Sequence, residues 1–293
     1  MHYLLSLLMG ILISVLVAFN GGLTERYGVY LATVIIHIVG LIVIAFIVII
    51  KRDKVFAKRH AWFLYLGGIA GVATTIFNNV AFGRISVSAI LALALFGQNV
   101  AGIVVDQYGI LGMPKHEFSK HKLIGLAIVL IGIASMINTF EIIAVLLSFF
   151  AGITVVLSRT LNGKLADLTN ERIATAYNYM TGLVCAVLVF LVMSRGEIVT
   201  ADFTVSSLST SWWIYLGGLL GVAVVFLSNV VVMKVSAFYL NLFVFIGTIF
   251  SSIVIDIIIS QELSLRILIG GVLVAVGLCL NLILDKRKAR EVK

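Results

Sequence analysis

Trp62–Ala73 reads WFLYLGGIAGVA, and Trp212–Ala223, 150 positions later, reads WWIYLGGLLGVA. Eight of the twelve positions are identical, among them Gly67-Gly68 and Gly217-Gly218. Such a pair points to a duplicated module, and a repeat decides architecture before any single motif does. The matches continue on both sides. Gly10, Asn20-Gly21, Leu23, Ala32, Thr33 and Gly40 meet Gly152, Asn162-Gly163, Leu165, Ala174, Thr175 and Gly182 at an offset of 142. Asn79, Gly97 and Asp106 meet Asn229, Gly247 and Asp256 at 150, and Gly125 and Gly132 meet Gly270 and Gly277 at 145. Lipid-compatible composition yields Leu, Val and Gly coincidences. It rarely returns Trp, Asn and Asp in one order with two changes of offset.

The chain is 61% hydrophobic and 12% charged, with a mean hydropathy of +1.18. A soluble domain carries about 25% charged residues, so the composition is that of a membrane protein. Apolar runs near the ~20 residues needed to cross a bilayer recur at 3–19, 29–50, 62–82, 86–106, 122–138, 141–159, 172–194, 212–233, 236–259 and 265–284. The opening MHYLLSLLMG lacks a charged leader region and reads as the first span. In lipid such runs close their backbone hydrogen bonds as helices. The expected fold is all-α and integral to the membrane, with ten transmembrane helices. Residues 1–140 form one five-span repeat, and 141–293 form a second with a basic tail.

Lys and Arg set the orientation. With the N-terminus in the cytoplasm, seventeen of them fall inside, Arg159, Lys164 and Arg172 included, and four fall outside. The positive-inside rule therefore places both termini in the cytoplasm of a multi-pass cytoplasmic-membrane protein. Five spans per copy is an odd number, so the second copy is inverted, as in many secondary transporters. The net charge of +8 is explained by this topology and by anionic lipid, without a nucleic-acid partner.

Polar side chains within spans are costly and usually face the bundle interior. Gln98, Gly102 and Asp106 fall at i, i+4, i+8, as do Thr248, Ser252 and Asp256, giving each helix a polar stripe. The face Gly68-Gly71-Thr75-Asn79 is echoed by Gly218-Gly221-Val225-Asn229. Asn20 and Asn162 close the first span of each copy, either binding substrate or breaking the helix before Gly21 and Gly163. Substrate binding is thus expected at Asn20, Asn79, Gln98, Asn162, Asn229 and Thr248. His37, which corresponds to Tyr179, is of a residue type whose titration range suits proton coupling, with a hydrogen-bonded structural histidine as the alternative. Asp106 and Asp256 join it as proton or ion relay candidates, with backbone capping as the alternative. The Gly67-x-x-x-Gly71 and Gly217-x-x-x-Gly221 faces read as intramolecular packing.

The pattern Asn20-Gly21-x-Leu23, Trp62…Gly67-Gly68-x-x-Gly71, Gly97-Gln98…Asp106…Gly109…Gly112…Pro114 and Gly125 resembles the drug/metabolite transporter superfamily. Within it the chain is similar to the bacterial branch first catalogued as a domain of unknown function, in its tandem, EamA-like five-span form. The resemblance covers nearly the whole chain and is weaker in the second copy, where Thr248 replaces the glutamine and the Gly-x-x-Gly-x-Pro loop is absent. It implies a ten-helix inverted repeat around a central substrate cavity. In related members the first, third and fourth helices of each half line that cavity.

These readings favour a secondary transporter of a small polar or amphipathic solute, working by alternating access with ion or proton coupling or by exchange. A lipid flippase, a channel or an accessory membrane subunit of the same fold is the alternative. An enzyme is not expected: the chain has no H-E-x-x-H, nucleophile elbow or P-loop. Cys185 and Cys279 lie in apolar spans and the histidines do not cluster, so neither a metal nor a cofactor is expected. The expected partners are the solute and membrane lipid, with a homodimer left open.

Overall fold

The computed structural model of the protein describes residues 2–56, 60–108, 122–137, 141–194, 211–232, 237–260 and 264–291. Among them lie ten helices: α1 His2–Tyr27, α2 Val29–Lys51, α3 Gly67–Ala81, α4 Val87–Tyr108, α5 Lys122–Met136, α6 Ile142–Leu168, α7 Glu171–Met193, α8 Gly217–Val232, α9 Ala237–Ser260 and α10 Leu265–Glu291. Seven of the described helices are long and apolar enough to cross a membrane, and three shorter apolar stretches lie in α5, α9 and α10.

Two expected span ends move. α1 runs to Tyr27 rather than residue 19, and α6 runs to Leu168 rather than residue 159. Asn20-Gly21 and Asn162-Gly163 therefore lie inside continuous helices, and the helix-breaking reading of both asparagines is corrected. Each glycine keeps its i→i−4 bonding because flanking Leu and Ala are strong helix formers. The expected membership of Arg159 and Lys164 in a loop is corrected by the same extension. Gly28, at φ 75°, makes the turn into α2 that a side chain would strain.

The WxxYLGG block begins with a 3-10 turn, Trp62–Leu66 or Trp212–Leu216, leading directly into α3 or α8. Its tandem glycines let a neighbouring backbone approach. A Cβ at Gly68 would collide with the Asn178 carbonyl of α7, and one at Gly218 would stand 2.5 Å from the Ile36 carbonyl of α2. The packing expected of this block is therefore made within one chain.

Every extensive helix pairing joins one copy to the other: α1 with α9 and α8, α6 with α4 and α3, α2 with α7, and α5 with α10. The contacts repeat in equivalent positions. Gly10 of α1 lies on Gly247 of α9, and Gly152 of α6 lies on Gly97 of α4. A Cβ at Gly132 would stand 2.8 Å from the Gly270 carbonyl, and one at Gly277 would stand 2.7 Å from the Gly125 carbonyl. Small residues let helices close in lipid, where no hydrophobic drive brings them together.

Candidate substrate site

At the centre, α2 and α7 bring two equivalent residues face to face. The His37 and Tyr179 ring centroids are 5.8 Å apart. Both residues are buried. The Nδ1–H of His37 donates to the Thr33 carbonyl at 2.8 Å, leaving Nε2 facing Gly182. Tyr179 lies across Gly40 and reaches Gly221 with its hydroxyl.

Asn79 and Asn229 are bound alike. Asn79 Nδ2 donates to Thr33 Oγ1 at 3.4 Å, and Asn229 Nδ2 donates to Thr175 Oγ1 at 3.3 Å. Each joins the third helix of its copy to the second, as interhelical polar residues do in lipid. Thr248 is buried at the α1–α9 crossing, where its hydroxyl donates to the Gly10 carbonyl at 3.3 Å.

Asn162 and Asn20 are equivalent in sequence and differ in their partners. Asn162 Nδ2 donates to Asn178 Oδ1 at 2.8 Å and to Ser158 Oγ at 3.2 Å, and Ser158 donates to the Gly67 carbonyl at 2.8 Å. The residues equivalent to Ser158 and Asn178 are Leu16 and Ile36. Asn20 is accordingly buried with its Oδ1 unpartnered among the described residues, pressed toward Gly217. The two asparagines lie at opposite ends of the bundle, Asn20 near the start of α2 and Asn162 near its end.

Asp256 reaches across to the N-terminus of α4. Its carboxylate accepts from the amides of Val87 at 2.8 Å and Ser88 at 2.9 Å, and from the Ser88 hydroxyl. An acidic group at a helix N-terminus satisfies orphan amides and complements the helix dipole. The side chain of Asp106, the other relay candidate, lies outside the described residues.

Beyond the α4–α6 crossing, the two ends of the bundle diverge in packing. Near the end of α1, a Cβ at Gly21 would run into the Phe82 ring, and Val17 packs with Val87 and Leu91. Near the end of α6, the equivalent glycine is Gly163, and no described atom lies within 4 Å of where its Cβ would stand. Gly102 of α4 is equally open. Its equivalent, Ser252, is buried.

Gln98 lies one turn before Gly102, and Arg159 one turn before Gly163. Gln98 is half-buried and has no hydrogen-bond partner among the described residues. Arg159 occupies the position of Val17, one turn from Gly163, and is also half-buried. The exposed stripe of α6 runs through Leu146, Phe150 and Leu157. Nine residues are about two and a half turns, so Arg159 lies on the side opposite Phe150, toward the bundle interior. Sequence reasoning missed Arg159 by placing it in a loop. The available signal was its equivalence to an apolar position, Val17.

At the same end, the α2–α3 turn is fastened to the α6–α7 turn. Arg172 donates to both Asp53 oxygens, Nε at 2.5 Å and Nη2 at 3.0 Å. Asn170 donates to Asp53 at 3.2 Å and accepts from the Ile173 amide, capping α7. The Tyr177 hydroxyl donates to the Val55 carbonyl at 3.0 Å. The Arg172 guanidinium holds the Asp53 carboxyl below its ordinary range.

A duplicated apolar bundle agrees with the family comparison. The family described as "Putative inner membrane exporter, YdcZ" matches residues 1–135 and again 143–280. The chain belongs to this family. The YdcZ exporter family lies in the drug/metabolite transporter superfamily, and its two matches are the tandem form of the repeat. The protein is accordingly a multi-pass inner-membrane protein of a transporter family. A solved structure described as "Crystal structure of protein" shares the fold, with a TM-score of 0.65, 15% identity and coverage of 98% of each chain. No curated protein sequence matches the chain.

Proposed function

We propose that this YdcZ-family chain is a secondary transporter that carries a small polar or amphipathic solute across the cytoplasmic membrane by alternating access. Its ten helices form two inverted five-helix repeats, with both termini in the cytoplasm. Transport is coupled to an ion or proton, or runs as exchange.

The observation that carries this reading is the unequal packing of two equivalent glycines. Gly21 is filled by Phe82, whereas Gly163 is buried with no described atom within 4 Å of where its Cβ would stand. A symmetric bundle with one end packed and the other open is one of two related states, and the exchange of those packings opens the opposite end. In the proposed orientation the open end faces the cytoplasm. Asn20, buried without a partner for its Oδ1, acquires one when its end opens and is the foremost substrate contact on that side.

Flux in proteoliposomes across a solute panel, under proton, sodium and exchange gradients, tests the reading. Saturable uptake of at least one solute is expected. Absence of flux under every gradient overturns it.

A further inference from the structure

We propose that the transported solute carries an anionic group, a carboxylate or a phosphate, and that Arg159 is the residue that receives it. This inference rests on the transporter reading and names its substrate class.

Arg159 lies inside α6, with nine further helical residues up to and including Leu168, about 13 Å of helix. It faces the bundle interior. Among the described residues it has neither a hydrogen bond nor an ion pair. An arginine within a membrane helix is expected to pair or to mark a substrate path. Arg172, at the partly exposed α6–α7 turn, is by contrast paired to Asp53. Gly163, one turn on from Arg159, is buried with no described atom within 4 Å of its Cβ position.

The equivalent position in the other copy is apolar and packed. Val17 is 3% exposed within a cluster of Val87, Leu91 and Phe82. The duplication therefore placed a cation in one copy alone, on the open side. A planar guanidinium offers a fork of donors that matches carboxylate and phosphate.

Gln98 adds the second polar group. Its backbone nitrogen stands 2.7 Å from where a Cβ of Gly152 would lie, and Arg159 is seven residues beyond Gly152. The two side chains thus start about 10 Å apart along α6, the span of one small solute. Gln98 is a neutral donor and acceptor, suited to the solute's uncharged part.

The test uses the full chain, purified in detergent and reconstituted. Thermal shift and proteoliposome flux are measured with benzoate, phenylphosphonate, benzamide and benzylamine, in the wild type, Arg159→Gln and Arg159→Lys. The expected result is stabilisation and flux with benzoate or phenylphosphonate only, weakened about tenfold or more in Arg159→Gln. Arg159→Lys keeps the charge and loses the fork, so it is weakened less. It also serves if Arg159→Gln does not fold. Binding or flux of benzamide or benzylamine alone, or anion affinity unchanged in the variants, overturns the anionic assignment and leaves transport standing. No binding and no flux with any probe overturns both.

Discussion

His37 and Tyr179 occupy the same position in two copies of one module, and each ring lies over the other copy's glycine, Gly182 beneath His37 and Gly40 beneath Tyr179. A Cβ at Gly40 would enter the Tyr179 ring, whereas one at Gly182 would stand 2.7 Å from a His37 ring carbon. Gly40→Ala should therefore destabilise the bundle by about 1–3 kcal/mol through overpacking. Gly182→Ala should cost less, because the smaller imidazole has room to turn. Melting of both variants in detergent decides this, and equal costs would contradict the geometry.

The glycines of α6 should divide sharply. A Cβ at Gly152 would collide with the Ala94 carbonyl, which is backbone and cannot turn aside. Gly152→Ala should abolish accumulation of folded protein. Gly163→Ala should fold normally, because no described atom lies within 4 Å of its Cβ position, and Gly163→Leu should fold but block flux. Size-exclusion profiles alongside transport assays separate the two effects.

Asn162 and Asn20 should respond oppositely to a near-isosteric apolar residue. Asn162→Leu strands the Asn178 carbonyl oxygen, a loss of about 1–3 kcal/mol. Asn20→Leu removes an oxygen that has no partner, so stability should hold or rise. If transport is lost in Asn20→Leu while stability holds, its role belongs to the other conformation.

The Asp53 fastening should be sensitive to acid. Arg172 depresses the folded-state pKa of Asp53, so its contribution is fully present above the ordinary carboxylate pKa and is lost as pH falls through the lower, folded value. Hydrogen exchange in the α2–α3 turn should therefore be slow at neutral pH and rise in strong acid. In Asp53→Asn it should be fast throughout. Asp53 and Arg172 are partly exposed, so the effect is local rather than global.

The architecture was legible because duplication leaves its trace in residues that lipid does not otherwise select. Trp62 and Trp212, the tandem glycines, and Asn79 with Asn229 recur in order, and the structure gives the glycine and asparagine pairs equivalent neighbours. Other features were not legible from hydropathy. A window ends a span at its first charge, so the span closed at Arg159 and left Lys164 outside, although one long helix, α6, carries both. The capping of α4 by Asp256 spans 168 positions and depends on how α9 meets α4. The difference between Asn20 and Asn162 was present in the letters. Reading Leu16 and Ile36 against Ser158 and Asn178 shows that the two polar partners of Asn162 have apolar counterparts beside Asn20.

The glycine crossings also bear on how such a chain came to exist. Gly10 meets Gly247, Gly97 meets Gly152, and Gly132 meets Gly270, each time across the boundary between copies. An ancestral single copy would have exposed every one of these faces. Two such copies packed together would have buried them. Fusion made the stoichiometry permanent and freed the two sides to diverge, and a valine on one side now stands opposite an arginine on the other.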